Sequence, residues 1–159
     1  MNGIAGRIAL GVVGTGMAVA VAAVVAGPRV AEWYDGRHQE QSTYASGSEA
    51  KADHRAMPAW LPDNASSVRY LMSTTGDDRL LTATLPDGRL PAGCRTGEPG
   101  RGSHPAPVSL RAGWFPEGIT TRATGSCGHY NVALRGNQLY AWQDGAAVQA
   151  ALRAERPAR

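Results

Sequence analysis

The longest uncharged apolar run of the chain lies near its N-terminus. Nineteen residues, from Ile8 to Ala26, carry no charge, and arginines bracket the run. As a helix rising ~1.5 Å per residue, this run would be about 28 Å long, close to the ~30 Å hydrocarbon core of a bilayer. A helix also satisfies its own backbone hydrogen bonds in lipid. We therefore predict a short N-terminal tail over residues 1–7 and a single-pass transmembrane helix, a signal anchor, over residues 8–27.

Two alternatives to an uncleaved anchor stay open on the sequence. Small residues at signal-peptidase spacing, as in Ala18-Val19-Ala20, would permit cleavage and secretion, although the run is longer than a usual signal-peptide core. A buried helix of a soluble domain is the other alternative. Counting Lys and Arg near the membrane slightly favours a cytoplasmic C-terminal side, but a short tail before an apolar run is typical of export signals. We expect the cell membrane to hold the helix and the C-terminal domain to be extracytoplasmic.

Small residues recur on one face of the predicted transmembrane helix, at Gly14, Ala18, Ala22 and Ala26. Small residues four apart allow two helices to approach closely in a membrane. A run rich in Ala, Val and Gly also produces such a stripe by chance. Homodimerisation through this small-residue face is therefore a secondary hypothesis.

Residues 28–56 show no apolar periodicity, and Ser, Gly, Gln, Glu and Asp dominate them from Asp35 onward. This composition is typical of a solvated tether. A flexible coil of this length would span roughly 30 Å. We predict a flexible polar linker over 28–56, in which His38 and His54 are ordinary solvated histidines.

Alternation of apolar and polar residues begins beyond this segment. It predicts strands over 68–74 and 79–85, joined by the turn residues Thr75-Gly76-Asp77-Asp78. The apolar side chains on one face of this hairpin are Val68, Tyr70, Met72, Leu81, Ala83 and Leu85. Trp60 lies between the predicted linker and the first of these strands. It is the first large apolar side chain of the domain, and we expect it to be buried.

A second hairpin is predicted near the C-terminus. Gly136-Asn137 separates two alternating segments, 130–134 and 138–142, and favours the positive φ of a two-residue turn. Tyr130, Val132 and Leu134 share one face of the first segment. In the second, Leu139 and Ala141 lie opposite Tyr140 and Trp142.

These elements predict an α+β fold. A transmembrane helix precedes a small, mainly antiparallel β-sheet domain over 57–143, with four to six strands and one or two short helices. Residues 95–107 are rich in Gly, Pro and polar residues and predict a loop. Residues 144–159 predict a short helix with Val148 and Leu152 on one side, followed by a frayed tail.

The chain has 2 cysteines, Cys94 and Cys127. A bridge between them would close a loop of about 34 residues, and loop entropy assigns it roughly 3–4 kcal/mol of stability. Both cysteines lie in the domain, which suits an oxidising compartment. We predict a disulfide, which would staple the β-rich domain. One alternative is a catalytic Cys127 thiol beside His129. The other is a zinc site formed by Cys94, His104, Cys127 and His129, but the spacings between these residues match no recognised zinc motif.

Composition narrows the function only slightly. With 43% hydrophobic and 18% charged residues and a net charge of +3, the chain is a globular protein without the dense basic surface of a nucleic-acid binder. Two cysteines are too few for a zinc site of four thiolates. The chain lacks G-x-S-x-G, H-E-x-x-H, a P-loop and G-x-G-x-x-G. We assign no catalytic, cofactor-binding or metal-binding residue, and expect no cofactor, no nucleic-acid partner and no enzyme activity.

One stretch carries a family resemblance. The run PAWLPDNASSVRYLMSTTGDDRLL from Pro58, with Leu90-Pro91-Ala92-Gly93-Cys94 and the later Cys127, resembles small uncharacterised membrane-anchored exported proteins of high-GC actinobacteria. The resemblance covers residues 57–143. It implies an anchored and exported bacterial domain, and it carries no activity, ligand or site.

Three functions follow as hypotheses. The first is a non-enzymatic, membrane-tethered extracytoplasmic module that binds another envelope component or protein. The second is a secreted or anchored module that binds carbohydrate, with Trp114 and Trp142 as candidate surface aromatics. The third is a Cys/His-dependent enzyme or metal protein that uses Cys127 and His129. Exposure of the two indoles discriminates the second hypothesis from the others.

Overall fold

The structure, a computed structural model, describes residues 38–97 and 108–156. These residues form a seven-stranded antiparallel sheet with two α-helices, which confirms the α+β class. The elements are β1 (Gln39–Ser46), α1 (Gly47–Asp53), β2 (Ser66–Ser73), β3 (Arg79–Thr84), β4 (Arg95–Thr96), a 3₁₀ turn (Ile119–Arg122), β5 (Gly125–Cys127), β6 (Tyr130–Arg135), β7 (Gln138–Gln143) and α2 (Gly145–Glu155). The spatial order is β1-β2-β3-β7-β6-β5-β4. The sheet therefore has more strands than the four to six that the pattern predicts.

Both predicted hairpins are present. β2 pairs with β3, and β6 pairs with β7 through a turn in which Gly136 has a φ of 58°. β3 also pairs with β7, so the two hairpins join into one sheet although a long stretch of chain separates them. Strand alternation predicts both pairs because each strand is apolar on one side, which fixes its register.

One face of the sheet, the covered face, is buried along its whole central part. In one register row Tyr70, Leu81, Ala141 and Val132 lie side by side across four strands, and all four are buried. The same face holds the other alternating positions of the predicted hairpins, such as Val68. The predicted assignment of apolar side chains to a common face is thus confirmed.

The segment between α1 and β2 covers this face. Met57 and Leu61 are buried against it, with exposed fractions of 7% and 1%. Trp60 lies at the margin, half-buried, with its ring edge-on to Tyr130 at a centroid distance of 5.4 Å. The predicted burial of Trp60 is therefore only partial.

The prediction of a flexible linker up to residue 56 is wrong for residues 39–56, which belong to the folded unit that begins at Gln39. β1 is an edge strand in which only Tyr44 is buried, so its pairing depends on the backbone and leaves no apolar alternation. α1 begins with a variant of the capping box, in which the glutamate bonds the residue before the N-cap. Ser46 Oγ accepts from Glu49 N, and Glu49 Oε2 accepts from Ala45 N at 2.9 Å. Residues 28–37 lie outside the described residues.

The opposite face, the mixed face, is covered at one end only. Its buried apolar side chains are Leu71, Leu80, Ala133 and Trp142. The chain between Val108 and Ala123 packs on them through the buried Leu110 and Ile119, and Phe115 lies edge-on to Trp142 at 6.4 Å. This segment has no regular structure before the 3₁₀ turn. It replaces a helix layer with a few large side chains.

Cys94 and Cys127 form a disulfide, with Sγ atoms 2.00 Å apart. The bond ties the turn before β4 to the end of β5, at the edge of the sheet opposite β1. It crosslinks the two shortest strands, β4 and β5, which have the fewest backbone pairs to hold them. Of residues 95–107, the first two form β4 rather than loop.

The C-terminal helix is present over the predicted residues 145–155. Asp144 caps it, its Oδ1 accepting from Ala147 N at 2.6 Å. Val148 is buried, but Leu152 is 45% exposed, so only the first turns pack on the domain. Within residues 38–97 and 108–156, neither helix combines the length and hydropathy needed to cross a bilayer. The predicted transmembrane helix over 8–27 lies outside the described residues.

Candidate functional site

The uncovered end of the mixed face is polar. Arg69 of β2, Thr82 of β3 and Tyr140 of β7 are register partners, and their side chains project on the same side as Leu71 and Leu80. In the next row Thr84 pairs with Gln138 and Gln138 pairs with Arg135. The same three strands therefore present an apolar row beneath the segment 108–123 and polar rows beyond it.

A cleft of about 220 Å³ lies over these polar rows. Its lining side chains, which define the polar cleft, are Ser67, Arg69, Thr82, Trp114, Gln138 and Tyr140. Pockets that enclose a drug-sized molecule usually measure ~300–1,000 Å³. The polar cleft is smaller, so it suits one ring or group of a larger ligand.

The floor of the polar cleft is a fixed hydrogen-bond network. Thr82 is 4% exposed, and its hydroxyl donates to Leu139 O at 2.8 Å and accepts from Gln138 Nε2. Thr84 Oγ1 donates to Gln138 Oε1 at 3.2 Å. These bonds orient the Gln138 amide, engage one acceptor site of its carbonyl oxygen and leave one amide N–H free to donate.

Trp114 forms the wall between the polar cleft and the covered end. Its indole is half-buried, and its Nε1 donates to Gln41 Oε1 of β1 at 3.1 Å. Phe115 packs edge-on against Trp114 at 6.0 Å and against Tyr140 at 5.8 Å. Because Gln41 occupies its only polar atom, the indole offers the cleft an apolar surface held in place from behind.

A β-bulge shapes the β2 side of the cleft. Ser66 pairs with Thr84 and Arg69 pairs with Thr82, so β2 has one residue more than β3 between these pairs. Ser67 takes a φ of 51° within the bulge. Positive φ is uncommon for a residue with a Cβ, and bulges often redirect side chains near functional sites. Here the bulge brings Ser67 to the cleft beside Arg69.

Arg69 is the charged residue of the polar cleft. Its side chain is exposed, and no carboxylate pairs with it among the described residues. The acidic side chains that form ion pairs lie outside the cleft: Asp63 pairs with Lys51, and Asp77 pairs with Arg79. The cleft consequently has an unbalanced positive charge.

A second cavity, of about 700 Å³, lies beneath the segment 108–120. Leu80, Leu110 and Phe115 form its apolar part, and Arg111 and Glu117 also line it. Its wall reaches Val108, where the described residues end. The polar cleft, in contrast, is lined entirely by described residues.

The covered face holds a pair of buried tyrosines. Tyr70 donates to Ala56 O at 3.2 Å, and Tyr70 and Tyr130 belong to the same buried cluster. Burial raises the pKa of both tyrosines, because desolvation penalises the phenolate. The pair is enclosed, so we treat it as structural and not as a site.

The two candidate surface aromatics predicted from the sequence, Trp114 and Trp142, lie in different environments. Trp114 lies at the polar cleft, but Trp142 has an exposed fraction of 0%, so its assignment as a surface aromatic is wrong. Alternation places Tyr140 and Trp142 on one face, but the segment 108–123 buries Trp142 completely and Tyr140 only in part. The aromatic side chain of β7 at the site is therefore Tyr140.

Cys127 is in the disulfide, so it offers no thiol to the exposed His129. In the part of the chain that the structure describes, no three His, Cys, Asp or Glu side chains are grouped as metal ligands would be. His104, the other residue of the alternative zinc site, lies outside the described residues. The Cys/His hypothesis therefore loses its nucleophile.

Sequence reasoning missed most of the polar cleft. Arg69, Thr82 and Tyr140 were identifiable as the polar sides of predicted strands, but their juxtaposition depends on β3 pairing with β7. No known protein-family model matches the chain, and no curated protein or solved structure matches it.

Proposed function

We propose that this chain is a non-enzymatic, membrane-tethered extracytoplasmic module that binds a saccharide of the cell envelope in the polar cleft. The observation that carries the proposal is the indole of Trp114 standing beside an ordered polar floor. Sugar rings have an apolar C–H face and a rim of hydroxyl groups. The cleft matches that division, with an aromatic wall for the ring and Gln138, Tyr140 and Ser67 for the hydroxyls.

The architecture supports binding more than chemistry. The hydrogen bonds of Thr82 and Gln138 hold the floor in one geometry, and a preformed site loses little entropy when a ligand binds. The polar cleft contains no carboxylate, histidine or thiol that could transfer a proton or attack a bond. Recognition needs none of these groups.

The binding test uses the full chain in a polyoxyethylene detergent, because a glucoside or maltoside detergent would itself present a sugar ring. Xylo-, cello-, chito- and galacturono-oligosaccharides are immobilised, and affinity is measured by biolayer interferometry. We expect at least one class to bind, and Trp114→Ala to weaken it about tenfold or more, since loss of a central aromatic anchor typically costs at least ~1.4 kcal/mol.

Trp114→Phe is the matched control, because phenylalanine keeps an aromatic face and gives up only the bond to Gln41. It should retain most of the affinity. If no oligosaccharide binds, or if Trp114→Ala binds as tightly as the unchanged chain, the proposed function is wrong.

The anchor and the disulfide support the proposed location. The run from Ile8 to Ala26 has the length of a membrane helix, and the Cys94–Cys127 disulfide suits an oxidising compartment. A membrane-impermeant thiol reagent applied to intact cells should label the chain only after an impermeant reductant is added. Labelling without reduction, or labelling only after the cells are lysed, would contradict an oxidised domain outside the membrane.

A further inference from the structure

We propose that the saccharide recognised by the polar cleft is anionic, and that its carboxylate or phosphate group pairs with the guanidinium of Arg69. The inference rests on the proposed function and adds the chemical class of the ligand. It follows from the balance of hydrogen-bond donors and acceptors in the cleft and from the absence of a counter-charge there.

The strongest free groups of the cleft are donors. Two of its acceptors are already engaged, because Gln138 Oε1 accepts from Thr84 and Thr82 Oγ1 accepts from Gln138 Nε2. The guanidinium N–H groups of Arg69 and one amide N–H of Gln138 can only donate, and the hydroxyls of Ser67 and Tyr140 can donate or accept. The hydroxyls of a neutral sugar also donate and accept, whereas a carboxylate or phosphate presents mainly acceptors at its charged group. The donors of the cleft therefore suit an acceptor-rich ligand.

Charge favours the same ligand. Arg69 has no ion-pair partner among residues 38–97 and 108–156, and no acidic side chain lines the cleft to repel an anion. Arginine presents a planar fork of N–H donors that matches a carboxylate or phosphate in a two-point contact. A bound anion would supply the partner that the described residues do not.

The spacing leaves room for a ring between the charged and aromatic groups. Arg69 and Tyr140 are separated by one strand, at Thr82, so their backbones lie about 10 Å apart at ~4.7–4.9 Å per strand. Trp114 borders the same space. A sugar ring can lie against the indole while its anionic substituent reaches Arg69.

The test compares a sugar that carries an anionic group with its neutral counterpart, in two pairs, with the full chain in polyoxyethylene detergent. Tetragalacturonate is paired with its methyl ester, and glucose 6-phosphate is paired with glucose. We expect the anionic member of at least one pair to bind about tenfold more tightly, the usual scale of a charge-assisted hydrogen bond at a solvated site. The pair that shows the preference identifies the group as carboxylate or phosphate.

Three variants locate the effect. Arg69→Gln should abolish the preference for the anion, Arg69→Lys should keep part of it, and Arg153→Gln, which removes an equally exposed charge from α2, should leave it unchanged. Added NaCl should weaken the binding of the anionic probe and leave the binding of the neutral probe unchanged.

The outcomes separate this inference from the proposed function. Equal affinity within both pairs, binding of neutral oligosaccharides only, or a preference that survives Arg69→Gln would overturn the inference and leave saccharide binding intact. Failure of every saccharide to bind would overturn both.

Discussion

The two ends of the mixed face share the same central strands but differ in what lies over them. At one end Phe115 and its neighbours cover Trp142, Leu80 and Leu71, which are buried. At the other end Arg69 stays exposed, and a fixed polar network replaces the apolar row. Each end has a tryptophan: Trp142 is buried in the core, and Trp114 lines the polar cleft.

The difference shows that the irregular segment 108–123 decides which part of the mixed face is buried and which part is open to solvent. Tyr140 and Trp142 occupy alternate positions on the same face of β7, so alternation alone does not distinguish a buried aromatic side chain from one that lines the cleft. The side chains that lie over the strands make that distinction. Changes at the covered end should therefore alter stability with little effect on binding, and changes at the polar cleft should do the reverse.

The largest effect on stability is expected from Trp142→Ala. Replacing a fully buried tryptophan by alanine typically costs about 3–5 kcal/mol, through lost burial and the cavity left behind. Urea unfolding of the full chain in detergent, followed by circular dichroism, measures this loss. Trp114→Ala should cost about 1 kcal/mol or less, since that indole is half-buried. Equal losses for the two variants would remove the distinction between the two ends.

The double variant Cys94→Ala/Cys127→Ala should cost roughly 3–4 kcal/mol, the loop-entropy value for a bridge between residues 33 positions apart. The bridge holds β4 and β5, at the far edge of the sheet from β1, so ligand affinity should not change under conditions in which the variant stays folded. The same unfolding experiment, with a binding measurement in parallel, checks both parts. A loss of affinity without a loss of stability would contradict them.

The covered face should respond to alkaline pH. Tyr70 and Tyr130 have pKa values raised above 10.0, so above pH 10 the unfolded chain releases protons that the folded chain retains. Stability is then fully present below pH 10 and falls as pH rises, by up to ~1.4 kcal/mol per pH unit for each tyrosine. Unfolding curves at pH 8 and at higher pH measure the slope. Tyr130→Phe should make it shallower, and an unchanged slope would show that the pair does not cause it.

The smallest effect is expected at the bulge. Ser67→Gly should be neutral or stabilising by up to ~1 kcal/mol, because glycine takes a positive φ without the cost that a Cβ adds. Ser67→Val should destabilise, since a β-branched residue tolerates that conformation poorly. Both variants lack the hydroxyl. The difference between their free energies of unfolding in urea therefore reports the backbone strain. A more stable Ser67→Val would show that the bulge does not depend on this φ.

The sequence predicted the parts of the fold that apolar alternation determines. The β2–β3 and β6–β7 hairpins follow from it, as does the helix that Asp144 caps. β1 was not predicted, because an edge strand with one buried residue shows no apolar alternation. The start of α1 did have a signal, the S-x-x-E pattern at Ser46.

The site was less predictable. Trp114 was identified as a candidate, but Trp142 could not be distinguished from it, since burial there depends on where Phe115 packs. Arg69 and Tyr140 are far apart in sequence and meet only because β3 pairs with β7. No local pattern encodes that pairing, because it joins two hairpins that are each complete in themselves.

The most direct test of the account is tryptophan oxidation by limiting N-bromosuccinimide, followed by peptide mass spectrometry, with and without a saccharide that binds the full chain. The account predicts that Trp114 is oxidised well before Trp142, and that the saccharide protects Trp114 while leaving the rate at half-buried Trp60 unchanged. Oxidation of Trp142 as fast as Trp114, or no protection of Trp114 by the bound saccharide, would contradict it.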